Sequence, residues 1–327
     1  MKKLRSFLGT LGLLFAAGLG TMGSTSAAAA CPDRYIKMII PNPAGGVGDL
    51  IGRILGDAAS PILGQGFVIE NRAGATTTIG TALVAKAKPD GCTILSLTAS
   101  GVVASVMRDK LPYNLEQDFA PIIGIGSFPM TLIVPSSSKI GSMADLVAAS
   151  KVADGIPYAT GGNGTMAHLA SVRMLKTVGG AGTHIPFRGN SDAIQALLGN
   201  QVQFFFSSTA EALTLMKGNR VRVLGVTSDN RVPYLPSVPT MKELGFAELN
   251  PRLWYAFLAP AGTPPETVAQ LYEAFSKALS DKAVQERLNG LGFTTEITSP
   301  AQIAAYMKAE AGRWAKVVKD NSIQAAD

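Results

Sequence analysis

Residues 38–52 read MIIPNPAGGVGDLIG, a short apolar run that passes through a proline- and glycine-rich turn into a helix-forming segment. A strand that feeds a helix through glycines leaves the first N–H groups of that helix free, and such groups bind anions. Inside a cell the pattern suggests a nucleotide phosphate. Here it stands just behind an export signal, which favours a captured solute.

Lys2, Lys3 and Arg5 form a positive start, residues 7–20 are apolar with small residues, and residues 26–30 offer small-residue cleavage sites. The pattern predicts cleavage near Ala30 and a periplasmic location. A retained anchor is the alternative, but the apolar run falls short of the roughly 20 residues that span a bilayer. The formal charge of +6 drops to +3 once those three cations leave, with the remaining charges scattered. No basic stripe with interleaved aromatics remains, which argues against nucleic acid as a partner. A modest positive field still favours an anionic ligand.

Cys31 and Cys92 are the two cysteines, each just ahead of an apolar run, 36–40 and 93–98. If those runs are parallel neighbours, both cysteines lie at one sheet edge and a disulfide is expected in an oxidising compartment. Lipidation of Cys31 after three alanines and a pair of free thiols are the alternatives.

Roughly 300 residues beyond the signal exceed one typical core and predict two domains. Strand and helix patterns alternate: strand 36–40, helix 50–60, strand 66–70, helix 79–87 and strand 93–97 form a first set. A second set runs from strand 130–134 to strand 223–227, and the tail is mostly helical. This is the rhythm of an open parallel α/β sheet. Segments 124–135 and 253–260 read as extended crossings, and the tail has too few strands for a sheet of its own. The expected division is 31–128 with 250–327 as one lobe and 129–249 as the other. Two crossings make a hinge that closes on a ligand, and a monomer is expected.

Ligands of open α/β sheets sit beyond the carboxyl ends of strands. In the first lobe these loops supply Asn42, Gly45, Gly46, Val47, Gly48 and Asp49, then Thr76, Thr77 and Thr78, then Thr98 and Ser100. In the second they supply Asn163, Gly164, Thr165 and His168, then Arg188, Gly189 and Asn190, then Ser207 and Ser208. Hydroxyls, amides and bare N–H groups suit an oxygen-rich ligand. Blander readings stand beside each. Asp49 can simply charge a helix start, Arg188 can be a solvated cation rather than a carboxylate clamp, His168 can pack or cap, and the threonines can form turns.

Residues 43–49 (PAGGVGD), 70–74 (ENRAG), 88–91 (KPDG), 111–113 (LPY) with 118–121 (DFAP), 162–165 (GNGT), 199–202 (GNQV), 235–240 (LPSVPT) and 260–264 (PAGTP) fall in order along the chain. Together they resemble the Bug family, the periplasmic solute receptors of tripartite tricarboxylate transporters, over residues 33–325. The resemblance implies a two-lobed type II periplasmic-binding-protein fold, no catalysis and no cofactor. It also implies a small organic carboxylate in the cleft, held by residues 43–49, 76–78, 163–165 and 188–190, and integral-membrane transporter subunits as partners. The chain departs from the family pattern at four places: Asn42 replaces a common aromatic, Gly48 a hydroxyl residue, residues 76–78 a glycine-rich run, and Ser207 an acid. These put neutral hydrogen-bonding groups where a wall and a charge are usual, so ligand identity does not carry over.

Three other readings compete. Gly46-x-Gly48 with Glu70 further on resembles a dinucleotide fingerprint, but Ile51 stands at the third glycine. A hydrolase lacks a Gly-x-Ser-x-Gly elbow, and two separated histidines, His168 and His184, with no paired cysteines give no zinc pattern. An exported sensor subunit for a membrane kinase would use the same fold as a transport receptor.

Overall fold

Three parallel strands, β1 (Tyr35–Ile40), β2 (Gly66–Asn71) and β3 (Thr93–Thr98), alternate with helices α1 (Val47–Leu63) and α2 (Thr78–Ala85). The structure is a computed structural model that describes Cys31 and residues 35–108, 110–247, 249 and 251–320. The export signal expected over residues 1–30 lies outside them. Helix α1 follows from its apolar spacing: Ile51, Ile54, Leu55 and Ala59 recur at helical intervals and are buried. Its two inward glycines let it lie close to the sheet. A β-carbon at Gly52 would come within 2.5 Å of Ile40, and one at Gly56 within 3.2 Å of Phe67. The helix ends at Gly64, whose left-handed backbone suits glycine.

Helix α3 (Ala99–Met107) follows β3 directly, and the chain then enters β4 (Phe119–Pro135). The second set comprises α4 (Met143–Ala149), β5 (Ile156–Thr160), α5 (Met166–Thr177), β6 (Gly182–Pro186), α6 (Asn190–Leu198), β7 (Phe204–Ser208), α7 (Thr209–Lys217) and β8 (Val221–Val226). The return comprises β9 (Arg252–Pro260), α8 (Pro265–Ser280), α9 (Lys282–Gly290), β10 (Thr294–Thr298) and α10 (Pro300–Asp320). Residues 98–101, read from sequence as a loop, open helix α3. The short strand expected at 130–134 is the end of a strand of 17 residues, and β10 is an addition.

The strand order β2-β1-β3-β9-β4-β7-β5-β6 makes β4 the link between two parallel groups. Its first part pairs antiparallel with β9 and β10, and its last part with β7 and β8. Register shifts at Pro121/Ile123 and Gly124/Gly126 bend it along its pairing with β9, before it passes to β7 at Met130. Strand β9 lies between β3 and β4, α8 packs on α1, and α10 packs on α3 and β4. One apolar core spans both strand groups, with Leu97, Val103, Leu132, Phe204 and Phe206 fully buried within it.

The sulfurs of Cys31 and Cys92 are bonded, with Cα atoms 4.8 Å apart. Cys31 lies just before β1 and Cys92 just before β3, and parallel pairing puts both at the amino ends of the strands. Gln65 clasps the bridge by accepting from the Cys31 N–H and donating to its carbonyl.

Candidate functional site

The loops after β1 and β2 and the end of α3 meet the loops after β5 and β6, through three contacts. The Thr76 hydroxyl donates to the Asn163 carbonyl at 2.9 Å. The β-carbon position of Gly189 lies 3.5 Å from Pro43. Met107, at the end of α3, fills the space that a side chain at Gly164 would take.

On the first side, α1 starts at Gly46, which has no side-chain cap, so the N–H groups behind it rely on their surroundings. Val47 is half-buried at the head of the helix, and Gly48 packs under Tyr255 of β9: a β-carbon there would lie 3.2 Å from the ring and 3.7 Å from the hydroxyl. Asn42 Oδ1 lies 3.6 Å from the same point, buried and without a hydrogen bond. Asp49 is engaged within its own loop and helix. It accepts from the Gly45 N–H at 2.9 Å and pairs with Arg53 at 3.1 Å. Burial pushes its carboxyl up, but the Gly45 N–H and the Arg53 guanidinium outweigh that and hold it below the usual carboxylate range. The charge that would repel a ligand carboxylate is thereby spent on closing the turn at Gly45.

Residues 75–77 hold an unusual backbone: Ala75, Thr76 and Thr77 have φ of 46°, 50° and 73° in succession. For β-branched threonines this is strained, and such strain persists only where its surroundings fix it. It aims Thr76 at Asn163 and turns Thr77 inward, 3.3 Å from the β-carbon position of Gly101. Thr78 is buried beside Tyr113 and acts on its hydroxyl. Thr98 is the cap residue of α3, with no capping bond from its side chain. It pairs across the sheet with Tyr255, so the two side chains share a face. The hydroxyls of Thr77 and Thr98, residues 4% and 6% exposed, have no hydrogen-bond partner. Ser100 is half-buried in the first turn of α3. Both threonines therefore lie at the first turn of α3, whose start is uncapped.

On the second side, Thr165 caps α5 by accepting from the His168 N–H and donates to the Gly162 carbonyl. Gly164 adopts φ 71°, which permits the tight turn that presents Asn163. His168 lies behind this loop. Its Nδ1 accepts from the Gly164 N–H at 3.2 Å, and its ring stacks on His184 with centroids 3.8 Å apart. Burial and the neighbouring His184 lower the His168 pKa to about 3, and burial lowers that of His184 to about 4, so both rings are neutral. His168 thus supports the loop from within. Arg188 is exposed, and Gly189 precedes α6 with φ 146°.

Asn190 donates to both oxygens of Glu211, at 2.9 and 3.2 Å. Ser208 caps α7 and shares a reciprocal capping box with Glu211. Ser207 is fully buried, its hydroxyl 2.8 Å from that of Thr131 on β4. Ser207 and Ser208 are therefore engaged with the protein itself. Sequence reasoning missed Glu211 and Tyr255. The first was legible as the last residue of Ser208-x-x-Glu211 at a helix start, whereas Tyr255 sits in an apolar strand with no local signal. A cavity of about 960 Å³ lies elsewhere, between α3 and α10, and touches none of the candidate loops.

Comparison with known proteins agrees with this architecture. Residues 51–323 match the model of the tripartite tricarboxylate transporter family receptor. The chain is 34% identical to the protein BugT of Bordetella pertussis, over 88% of this chain and 90% of that one. Among solved structures, the periplasmic binding protein BugD is 32% identical with a TM-score of 0.84, over 90% of this chain and 99% of that one. An R. palustris protein solved with adipate is 28% identical with a TM-score of 0.85, again over 90% and 99%.

Proposed function

The chain belongs to the tripartite tricarboxylate transporter receptor family, and from that premise we propose that it captures a small organic carboxylate in the periplasm and hands it to integral-membrane transporter subunits. The observation that carries this reading is the pair of buried, unpartnered hydroxyls of Thr77 and Thr98 at the uncapped start of α3. A buried hydroxyl without a partner is costly, and a ligand oxygen relieves that cost. Helix starts add a favourable field for negative charge, worth roughly 0.3–1 kcal/mol each and more when partly buried. That a related protein was solved with adipate fits a site of this chemistry.

The residues from 31 to 128 and from 250 onward form one lobe in this proposal, and 129–249 the other. Closure brings Asn163 and Thr165 over a carboxylate seated at the first lobe, so binding favours the form that the membrane partner recognises. No residue of the site is asked to do covalent chemistry. Thermal-shift screening of the mature protein against mono-, di- and aromatic carboxylates tests the reading. Stabilisation by one or more of these acids is expected; stabilisation by NAD and by no carboxylate would overturn it.

A further inference from the structure

We propose that the captured solute carries a protonated nitrogen beside its carboxylate and that Glu211 receives it, a refinement that rests on the receptor reading above. Glu211 Oε2 is fully used: it accepts from the Ser208 N–H and hydroxyl, both at 2.8 Å, and from Asn190 at 3.2 Å. Oε1 accepts a single bond, from Asn190 at 2.9 Å. A carboxylate oxygen has room for two donors, so Oε1 keeps one direction free.

The capping box explains Oε2 and leaves Oε1 and the charge unexplained, because glutamine serves a capping box as well as glutamate. Burial pushes the carboxyl up, and among the described residues the side chains that favour its charged form are Asn190 and Ser208, both neutral. A charge set this deep without a cation is costly unless something outside the chain supplies one. Glu211 is nevertheless only half-buried, so solvent still reaches it.

The surroundings favour the same class of ligand. The charge of Glu211 acts on Tyr255, whose hydroxyl reaches Gly48, and Asn42 Oδ1 is buried beside that glycine without a donor. Glu211 and Asn42 therefore offer acceptors around Tyr255, which shares a sheet face with Thr98, whose hydroxyl is free. A solute with an ammonium at one point and a carboxylate at another matches both seats. Asp49 does not compete for the ammonium, because Arg53 and the Gly45 N–H already hold it.

Matched ligand pairs test this with the mature full-length chain. Calorimetry would compare succinate with aspartate, glutarate with glutamate, and butyrate with γ-aminobutyrate, on wild type and on Glu211→Gln. At least one amino member should bind ten-fold or more tightly than its plain partner. In Glu211→Gln that member should weaken at least ten-fold while the plain acid moves less than three-fold. Should the variant fail to fold, the wild-type preference within the pairs decides alone. Plain acids binding more tightly than their amino partners would overturn the nitrogen seat and leave the carboxylate receptor standing, as would an equal loss for both members in the variant. Binding of neither series would overturn both.

Discussion

Gly45 and Gly46 are adjacent, yet their backbones answer to different constraints. Gly45 has φ +76°, a left-handed conformation that costs any other residue about 1–2 kcal/mol. Gly46 has φ −75° and is extended, with its β-carbon position 3.3 Å from the Pro43 carbonyl. Gly46→Val should accordingly still fold, with a loss of about 0.5–2 kcal/mol from a poorer helix cap, but weaken carboxylate binding by tenfold or more, since the new side chain stands in the path of close backbone approach. Gly45→Val should lose stability as well; urea melts beside calorimetry separate the two. Unchanged affinity in Gly46→Val would make the loop purely structural. The stacked histidines give a second expectation. Their folded pKa values, about 3 for His168 and about 4 for His184, lie below the unfolded value of 6.5. The unfolded chain therefore binds more protons in this window. Stability is complete above about pH 6.5 and is lost as pH falls towards 4, each ring adding a slope of about 1.4 kcal/mol per pH unit. His168→Leu should reduce the slope between pH 4.5 and 6.5 by about that amount in urea melts across pH. Residue types and loop positions were legible in the sequence, but side-chain direction was not. Asp49, His168 and Ser207 all stand at strand ends as read, and each turns to a protein partner that only the folded backbone supplies.

Among the elements, α1 was legible because its apolar spacing, its glycine start and its left-handed glycine end agree with one another. Helix α3 was hidden: TASG at 98–101 reads as a turn, and the helix is set by burial of Val102 and Val103 and by packing on α10 rather than by local propensity. Strand β4 was read as pieces because Pro121, Gly124, Gly126 and Pro129 interrupt its pattern. In the fold, Pro121, Gly124 and Gly126 lie at register shifts within its pairing with β9, and Pro129 stands where it passes to β7. The disulfide belongs to this scale as well, since it ties β1 to β3 across 61 residues. In the chain-entropy account, its reduction should lower stability by roughly 2–4 kcal/mol. It closes the amino ends of the strands, whereas the candidate site lies at their carboxyl ends. Reduced protein should therefore melt earlier in denaturant while its affinity changes less than two-fold; a larger change in affinity would mean that the two ends of the sheet are coupled.

For the whole molecule, the proposed motion depends on contacts that join the two strand groups beyond the shared β4. The bond from Thr76 to Asn163 is the polar link between the candidate loops themselves, while Lys176 to the Asp320 carbonyl and Tyr234 to the Gly292 carbonyl join the groups away from the site. Thr76→Val removes it and keeps the shape. A net hydrogen bond of about 0.5–1.5 kcal/mol predicts a two- to ten-fold weaker affinity, with little change in the melting of the unliganded protein. Small-angle scattering should show a ligand-dependent contraction in wild type, reached in the variant at higher ligand concentration. Ligand binding without contraction would leave the seam with no part in closure. The disulfide has a practical consequence here. It consumes both cysteines in the chain, so a single cysteine introduced at exposed Arg188, next to the place where Gly189 meets Pro43, is the sole target for a thiol-reactive dye. The oxidised protein so labelled becomes a fluorescent reporter of its own occupancy, able to screen a metabolite collection for the native solute without that solute being known beforehand.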